Sequence, residues 1–136
     1  MTINISEKNK EEFKALGVAA VYLFGSLAEG KNGPLSDIDL AILLENEARS
    51  DIRSELYQSL YNMFSDIFDL SDFKHMDIVF LDRAPLELSF DVIKNGQVIF
   101  DAKPDLRNTF ESRVSLLYVD FQPLLRDFDK NILSRL

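Results

Sequence analysis

Apolar residues recur every three or four positions in four segments of the chain, which is the spacing of one helix face. These predicted helices cover Ser6–Leu16, Ser50–Phe68, Pro85–Asn95 and Pro104 to the C-terminus. Short apolar runs lie between them and predict four strands: Val18–Phe24, Ser36–Leu44, His75–Leu81 and Gln97–Phe100. With no repeat or linker, the pattern predicts one α+β domain over residues 1–136, built on a small mixed β-sheet flanked by helices.

The C-terminal helical segment, residues 104–136, is the longest predicted element. Pro123 is expected to kink or split it, because proline removes a helical hydrogen bond. Its apolar surface is broader than one small sheet can cover, and exposed apolar patches usually mark interaction sites. We therefore expect residues 121–136 to contact a partner protein or a second copy of the chain.

Composition and charge restrict the class of protein. The 136 residues include no cysteine, which excludes disulfides and thiolate metal sites. No apolar run approaches the roughly 20 residues of a membrane helix, so we expect a cytoplasmic protein without a membrane partner. The net charge of −8 opposes binding of a long nucleic acid. A small phosphate compound bound together with a divalent metal is compatible with that charge, because the metal brings its own positive charge.

Two aspartates at the start of the second predicted strand carry the first chemical signal. Asp37 and Asp39 in "SDIDLAILL" are separated by a single residue, so their side chains emerge on the same face of the strand. Asp77 occupies a similar place in the next apolar strand, "HMDIVFL". If these strands are neighbours, three carboxylates converge. An oxygen-only cluster of this kind suits Mg²⁺, and two such ions can stabilise both the attacking and the leaving oxygen of a phosphoryl transfer.

Gly25 and Ser26 follow the first predicted strand directly and form a candidate phosphate site. Glycine allows a close approach of the backbone, and free N–H groups and a hydroxyl at the start of a helical turn can hold an anion. Either motif alone is more often a turn or a solvated strand end. Their combination, each on the element that its chemistry requires, is far more specific.

The stretch "GSLAEGKNGPLSDID" fits Gly-Ser-x10-Asp-x-Asp and resembles the signature of DNA polymerase β-like nucleotidyltransferases. "HMDIVFLDRAP", "IKNGQVIFD" and "FESRVSLLYVDFQPL" are similar to later segments of the minimal nucleotidyltransferase (MNT) antitoxins of that superfamily. The resemblance implies that Gly25 and Ser26 hold the β- and γ-phosphates of ATP. It also implies that Asp37, Asp39 and Asp77 ligate Mg²⁺ and that Asp77 helps to deprotonate the attacking hydroxyl.

The MNT resemblance further implies an antitoxin that transfers AMP from ATP to a tyrosine of a HEPN-domain toxin ribonuclease encoded nearby. It leaves open whether the chain forms a homo-oligomer or a hetero-oligomer with that toxin. Family members often carry arginine just before the glycine at position 30, where this chain has Glu29, although Lys31 follows. Two alternatives therefore stay open: an antitoxin that neutralises the toxin by binding alone, and a small-molecule nucleotidyltransferase of the aminoglycoside-modifying kind.

Overall fold

The four predicted strands form one sheet in a computed structural model of the chain, which describes residues 3–25, 37–46, 53–68 and 75–134, with side chains as far as residue 121. The strands are β1 (Val18–Phe24), β2 (Ile38–Leu44), β3 (Met76–Phe80) and β4 (Gln97–Asp101). Their order across the sheet is β3-β2-β1-β4. β1 is antiparallel to both of its neighbours, whereas β2 and β3 are parallel. The predicted α+β class with a small mixed sheet is therefore confirmed.

Helices cover both faces of this sheet in the described part of the chain: α1 (Glu7–Ala15), α2 (Arg53–Ile67), α3 (Leu86–Asn95) and α4 (Pro104–Ser134). α1 and α2 pack on the first face, where Phe13 and Phe64 lie against alternate residues of the strands. α3 and α4 pack on the second face, where Val92, Leu106 and Phe110 contact the other set of strand residues.

The first helix spans Glu7–Ala15, and the two ends of its predicted range, Ser6 and Leu16, are its cap residues. Ser6 caps it by accepting a hydrogen bond of 3.1 Å from the backbone N–H of Asn9. Gly17 follows the helix with a φ of +81°, a left-handed conformation that glycine adopts at little cost. The chain then enters β1 at once. Every residue of β1 is buried, because helices cover both faces of this central strand.

The C-terminal helix is continuous over Pro104–Ser134, so of the two effects predicted for Pro123, a kink or a split, the split is wrong. Proline deprives the carbonyl four residues earlier of its helical donor. That carbonyl belongs to Val119, whose side chain is 61% exposed, so water can replace the lost hydrogen bond on this turn. Within the described residues, no helix combines the length and apolar composition needed to cross a membrane.

Candidate active site

Three strand ends meet at one edge of the sheet. Because β1 and β2 are antiparallel, the last residue of β1, Phe24, lies opposite Asp39 near the start of β2. Because β2 and β3 are parallel, Asp39 also lies opposite Asp77 near the start of β3. A backbone hydrogen bond of 2.9 Å from the N–H of Ile38 to the carbonyl of His75 holds the two starts together. The neighbouring strands on which the predicted carboxylate cluster depends are therefore present.

The carboxylates of Asp39 and Asp77 lie on the second face of the sheet. The residues on either side of Asp39 belong to the apolar cluster of the first face, and Ala41 and Leu43 belong to that of the second. Asp77 shares its face with Val79, two residues further along β3, which packs against the second-face cluster. Asp39 is partly buried, whereas Asp77 is exposed to solvent. The pair is thus open to a ligand from outside.

Gly25 lies against the carboxylate of Asp39. Its φ of +75° is left-handed, and a Cβ atom built on it would overlap the Oδ2 atom of Asp39. Any other residue at this position would strain the backbone and push the carboxylate away. The glycine therefore has a role that the sequence did not indicate, because it makes room for an aspartate of the next strand.

The electrostatics of the site disfavour a charged Asp39. Its pKa is raised, first by burial and then by the negative charges of Asp77 and Asp37. Among the described residues, none of the three carboxylates has a side-chain hydrogen bond or an ion pair. Asp37 lies just before β2 and acts on Asp39 through its charge. A cation bound here would relieve this repulsion.

The donor set fits Mg²⁺ shared with a substrate. The described part of the chain contains no group of three or more His, Cys, Asp or Glu residues arranged to hold a metal ion. Mg²⁺ does not require such a group, since it commonly binds through one or two carboxylates and completes its coordination with water and substrate phosphates. Asp39 and Asp77 supply two carboxylates on one face. Ser26, Glu29 and Lys31, the other residues of the predicted nucleotide site, lie outside the described residues.

A partly buried polar network that the sequence did not indicate fixes α4 over this face of the sheet. The hydroxyl of Tyr22, two residues before Phe24 on β1, donates a hydrogen bond of 2.7 Å to Glu111 on α4. Arg107 pairs with Glu111 at 3.0 Å and with Asp101 of β4 at 2.7 Å. The spacing of Arg107 and Glu111, four residues apart on a helix, was the available signal.

The network also shifts two pKa values. Burial, together with the hydrogen bond to Glu111, raises the pKa of Tyr22. The hydrogen bond to Asp101 is the largest of the causes that raise the pKa of Arg107. Tyr22 is therefore held neutral and Arg107 charged, which preserves the hydrogen bonds that join the sheet to α4.

Several solved structures of toxin-antitoxin complexes share this fold. One complex, with AMP-PNP, has a TM-score of 0.66 and 24% identity over 92% of this chain and 98% of that chain. A complex of tri-AMPylated Shewanella oneidensis HEPN toxin with MNT antitoxin has a TM-score of 0.61 and 21% identity, covering 95% and 99%. An MntA-HepT toxin-antitoxin structure gives 0.61 and 21%, covering 94% and 99%. The TM-scores show that these proteins share the fold of this chain, and at such low sequence identity they show the fold alone.

The sequence matches one family model, whereas no curated protein matches the chain. The model of the family described as polymerase beta, nucleotidyltransferase matches residues 5–105, a stretch that contains all four strands and the candidate site. The resemblance seen in the Gly-Ser and aspartate motifs is thereby confirmed at the level of the superfamily. The chain belongs to the polymerase beta nucleotidyltransferase family.

Proposed function

We propose that residues 1–136 form one nucleotidyltransferase domain that transfers AMP from ATP to a tyrosine hydroxyl of a partner HEPN toxin ribonuclease, and so acts as an antitoxin in the cytoplasm. The pairing of Asp39 with Asp77 beside Gly25 carries the proposal, because it puts two carboxylates next to a glycine whose backbone can approach a phosphate closely. The neighbouring structures support the partner, since they are toxin-antitoxin complexes, one with AMP-PNP and one with an AMPylated HEPN toxin.

Each residue of the site has a defined part in this reaction. Asp37, Asp39 and Asp77 would hold Mg²⁺, which when bound neutralises phosphate charge and stabilises the oxygens that attack and leave. Gly25 and Ser26 would hold the β- and γ-phosphates. The tyrosine oxygen attacks the α-phosphorus, the bond from that phosphorus to the bridging oxygen breaks, and pyrophosphate leaves. The carboxylate of Asp77 helps to accept the proton from the tyrosine hydroxyl.

Labelled ATP tests the proposal directly. The chain and the purified HEPN toxin encoded beside it are incubated with Mg²⁺ and ATP labelled at the α-phosphate. We expect label on a toxin tyrosine, located by tandem mass spectrometry, and loss of ribonuclease activity. Neutralisation of the toxin without ATP and without label would favour an antitoxin that acts by binding alone. Label on an aminoglycoside, with none on the toxin, would favour the small-molecule enzyme.

Nucleotide binding should depend on divalent metal. Without a cation, the carboxylates repel one another and also repel a triphosphate. Calorimetric titration of ATP in Mg²⁺ should therefore show binding that is lost in EDTA. Equal affinity under both conditions would contradict the metal-dependent mechanism while leaving the fold and the family unaffected.

A further inference from the structure

A cavity of about 730 Å³ lies at the far end of β2 from Asp39. Its walls come from the end of β2, the single-turn helix Leu81–Arg83, the start of α3 and the first four turns of α4. Just over half of its lining residues are apolar, among them Leu43, Leu81, Leu86, Leu106, Phe110 and Leu117. Polar and charged residues, including Glu45, Asn46 and Asp82, line the rest. A cavity of this size accepts several large side chains.

One face of α4 borders the cavity and continues beyond it. Leu106, Phe110, Arg113 and Leu117 line the cavity at intervals of four, three and four residues, which puts them on one side of the helix. Phe121 follows four residues later and is 44% exposed. We call these five residues the cavity stripe. Their spacing is the one with which a helix packs along a second helix.

The neighbouring face of α4 is already occupied. Val114 is buried, and Tyr118 stacks on Phe90 of α3 with ring centroids 3.9 Å apart. Arg107 and Glu111 belong to the network with Tyr22. The helix is thus fixed by this face and by Leu106 and Phe110, which also pack against the sheet. The remaining members of the cavity stripe, Arg113, Leu117 and Phe121, are exposed. Leu117 in the stripe remains 40% exposed.

Charge indicates what kind of segment fits the cavity stripe. Asp105 and Arg113 both line the cavity, and neither has an ion pair within the part of the chain that is described. They are separated by about 12 Å along the helix, at 1.5 Å per residue. A complementary segment carries apolar side chains between a basic and an acidic residue about two turns apart. A second copy of this chain is a poor candidate, because each copy has a net charge of −8.

We propose that the cavity and the cavity stripe dock an amphipathic helix of the protein that receives AMP, with a basic residue facing Asp105 and a carboxylate facing Arg113. This inference rests on the proposed function. Leu43 of the cavity and Asp39 of the site lie on the same face of β2, about 13 Å apart at 3.3 Å per residue. A partner held here is anchored away from the chemistry, and its acceptor hydroxyl stays free to reach the site.

Adjacent leucines on α4 provide a matched test. Leu117 belongs to the cavity stripe, whereas Leu116 is outside it and is 67% exposed. Binding of each variant to the purified HEPN toxin is measured without ATP, so that no covalent transfer contributes. We expect Leu117→Asp to weaken binding at least about tenfold, as for a residue of an interface core. Leu116→Asp, with the same added charge one residue away, should change the affinity by less than about twofold.

A second variant and two controls complete the test. Arg113→Glu alters an exposed side chain, should leave folding intact, and should also weaken binding at least about tenfold, more so at low salt. Thermal unfolding and Mg-ATP titration should be unchanged in Leu117→Asp and Arg113→Glu. The docking inference would be overturned if Arg113→Glu and Leu117→Asp bound the toxin as strongly as the wild type, or if Leu116→Asp lost as much affinity as Leu117→Asp. Neither result would affect the proposed function.

Two other outcomes separate this inference from the proposed function. A wild-type homodimer in sedimentation that Leu117→Asp dissociates, with toxin binding unchanged, would identify the cavity as a self-association surface and overturn the inference. A wild-type chain that binds no HEPN toxin would overturn the proposed partner, and the docking surface with it.

Discussion

Asp39 is the residue at which the needs of the fold and of the site conflict most directly. Its carboxylate is partly buried between two like charges and Gly25, an arrangement that stabilises the protonated form. The side chains that flank it along β2 are fully buried and apolar. A strand selected only for stability would not carry a carboxylate here, which makes this position the clearest sign of a ligand site.

Replacing Asp39 by asparagine should abolish transfer without harming the fold. We expect at least a hundredfold loss of activity, because even outer-shell partners of a metal typically contribute about 10–100-fold. The metal-free variant should be as stable as wild type at pH 7, or more stable. The folded state binds the Asp39 proton more tightly than the unfolded state, so wild-type stability falls as pH rises above 3.8 through the raised pKa.

Urea denaturation at several pH values, in EDTA, measures this effect. The stability advantage of Asp39→Asn should shrink as the pH falls through the raised pKa of Asp39, because the folded wild type then becomes protonated and neutral at this position, as the variant already is. An Asp39→Asn variant that unfolds, or that retains half of the wild-type transfer, would contradict the assignment of Asp39 to the metal.

Gly25 and Gly17 form a matched pair for testing the contact with Asp39. Both have a positive φ, but a Cβ atom at Gly17 would meet nothing within 4 Å. Alanine at either position should cost about 1–2 kcal/mol for the left-handed backbone. Gly25→Ala should cost more in urea denaturation, because its methyl group displaces the carboxylate, and should lose Mg-ATP binding in calorimetry. Equal stability and equal nucleotide affinity in the two variants would exclude a role of this contact.

At the scale of elements, β1 and α4 are held together both by apolar packing and by the polar network of Tyr22, Arg107 and Glu111. Tyr22→Phe removes only the hydroxyl and should lower the free energy of unfolding by about 1 kcal/mol at pH 7. The raised pKa keeps the folded-state hydroxyl protonated when the unfolded-state hydroxyl, with its ordinary pKa of 10.0, ionises. The wild type therefore loses stability as the pH rises above 10.

Urea denaturation at pH 7 and above pH 10 distinguishes this network from simple packing. Tyr22→Phe should lack the alkaline loss, so that its stability approaches that of the wild type as the pH rises. Tyr57→Phe is the control, since Tyr57 is 36% exposed and its hydroxyl has no hydrogen bond within the described residues. If the free energy of unfolding fell equally steeply above pH 10 in the wild type and in Tyr22→Phe, the network would not be keeping the Tyr22 hydroxyl protonated.

At the scale of the whole molecule, the sequence predicted the elements well and their contacts poorly. β1 and β2 were recognisable because strands covered on both faces read as continuous apolar runs. The meeting of Asp39 with Asp77 depends on β2 and β3 being parallel neighbours, and nothing local in either strand specifies that choice. The contact of Gly25 with Asp39 and the cavity beside α4 depend equally on how distant segments pack. The Gly-Ser and aspartate motifs indicated the chemistry, whereas strand order determined their positions.

The parallel pairing of β2 with β3 also has a consequence for the order of folding. Parallel strands can pair only after the intervening chain has made a crossover, so this contact closes a long loop and is intrinsically slow to form. We therefore expect Asp39 and Asp77 to come together late in folding, in the register that also pairs Leu40 with Ile78. A ligand that contacts both aspartates has little to bind in a partly folded chain. It would therefore prolong the lifetime of the folded protein rather than speed its formation.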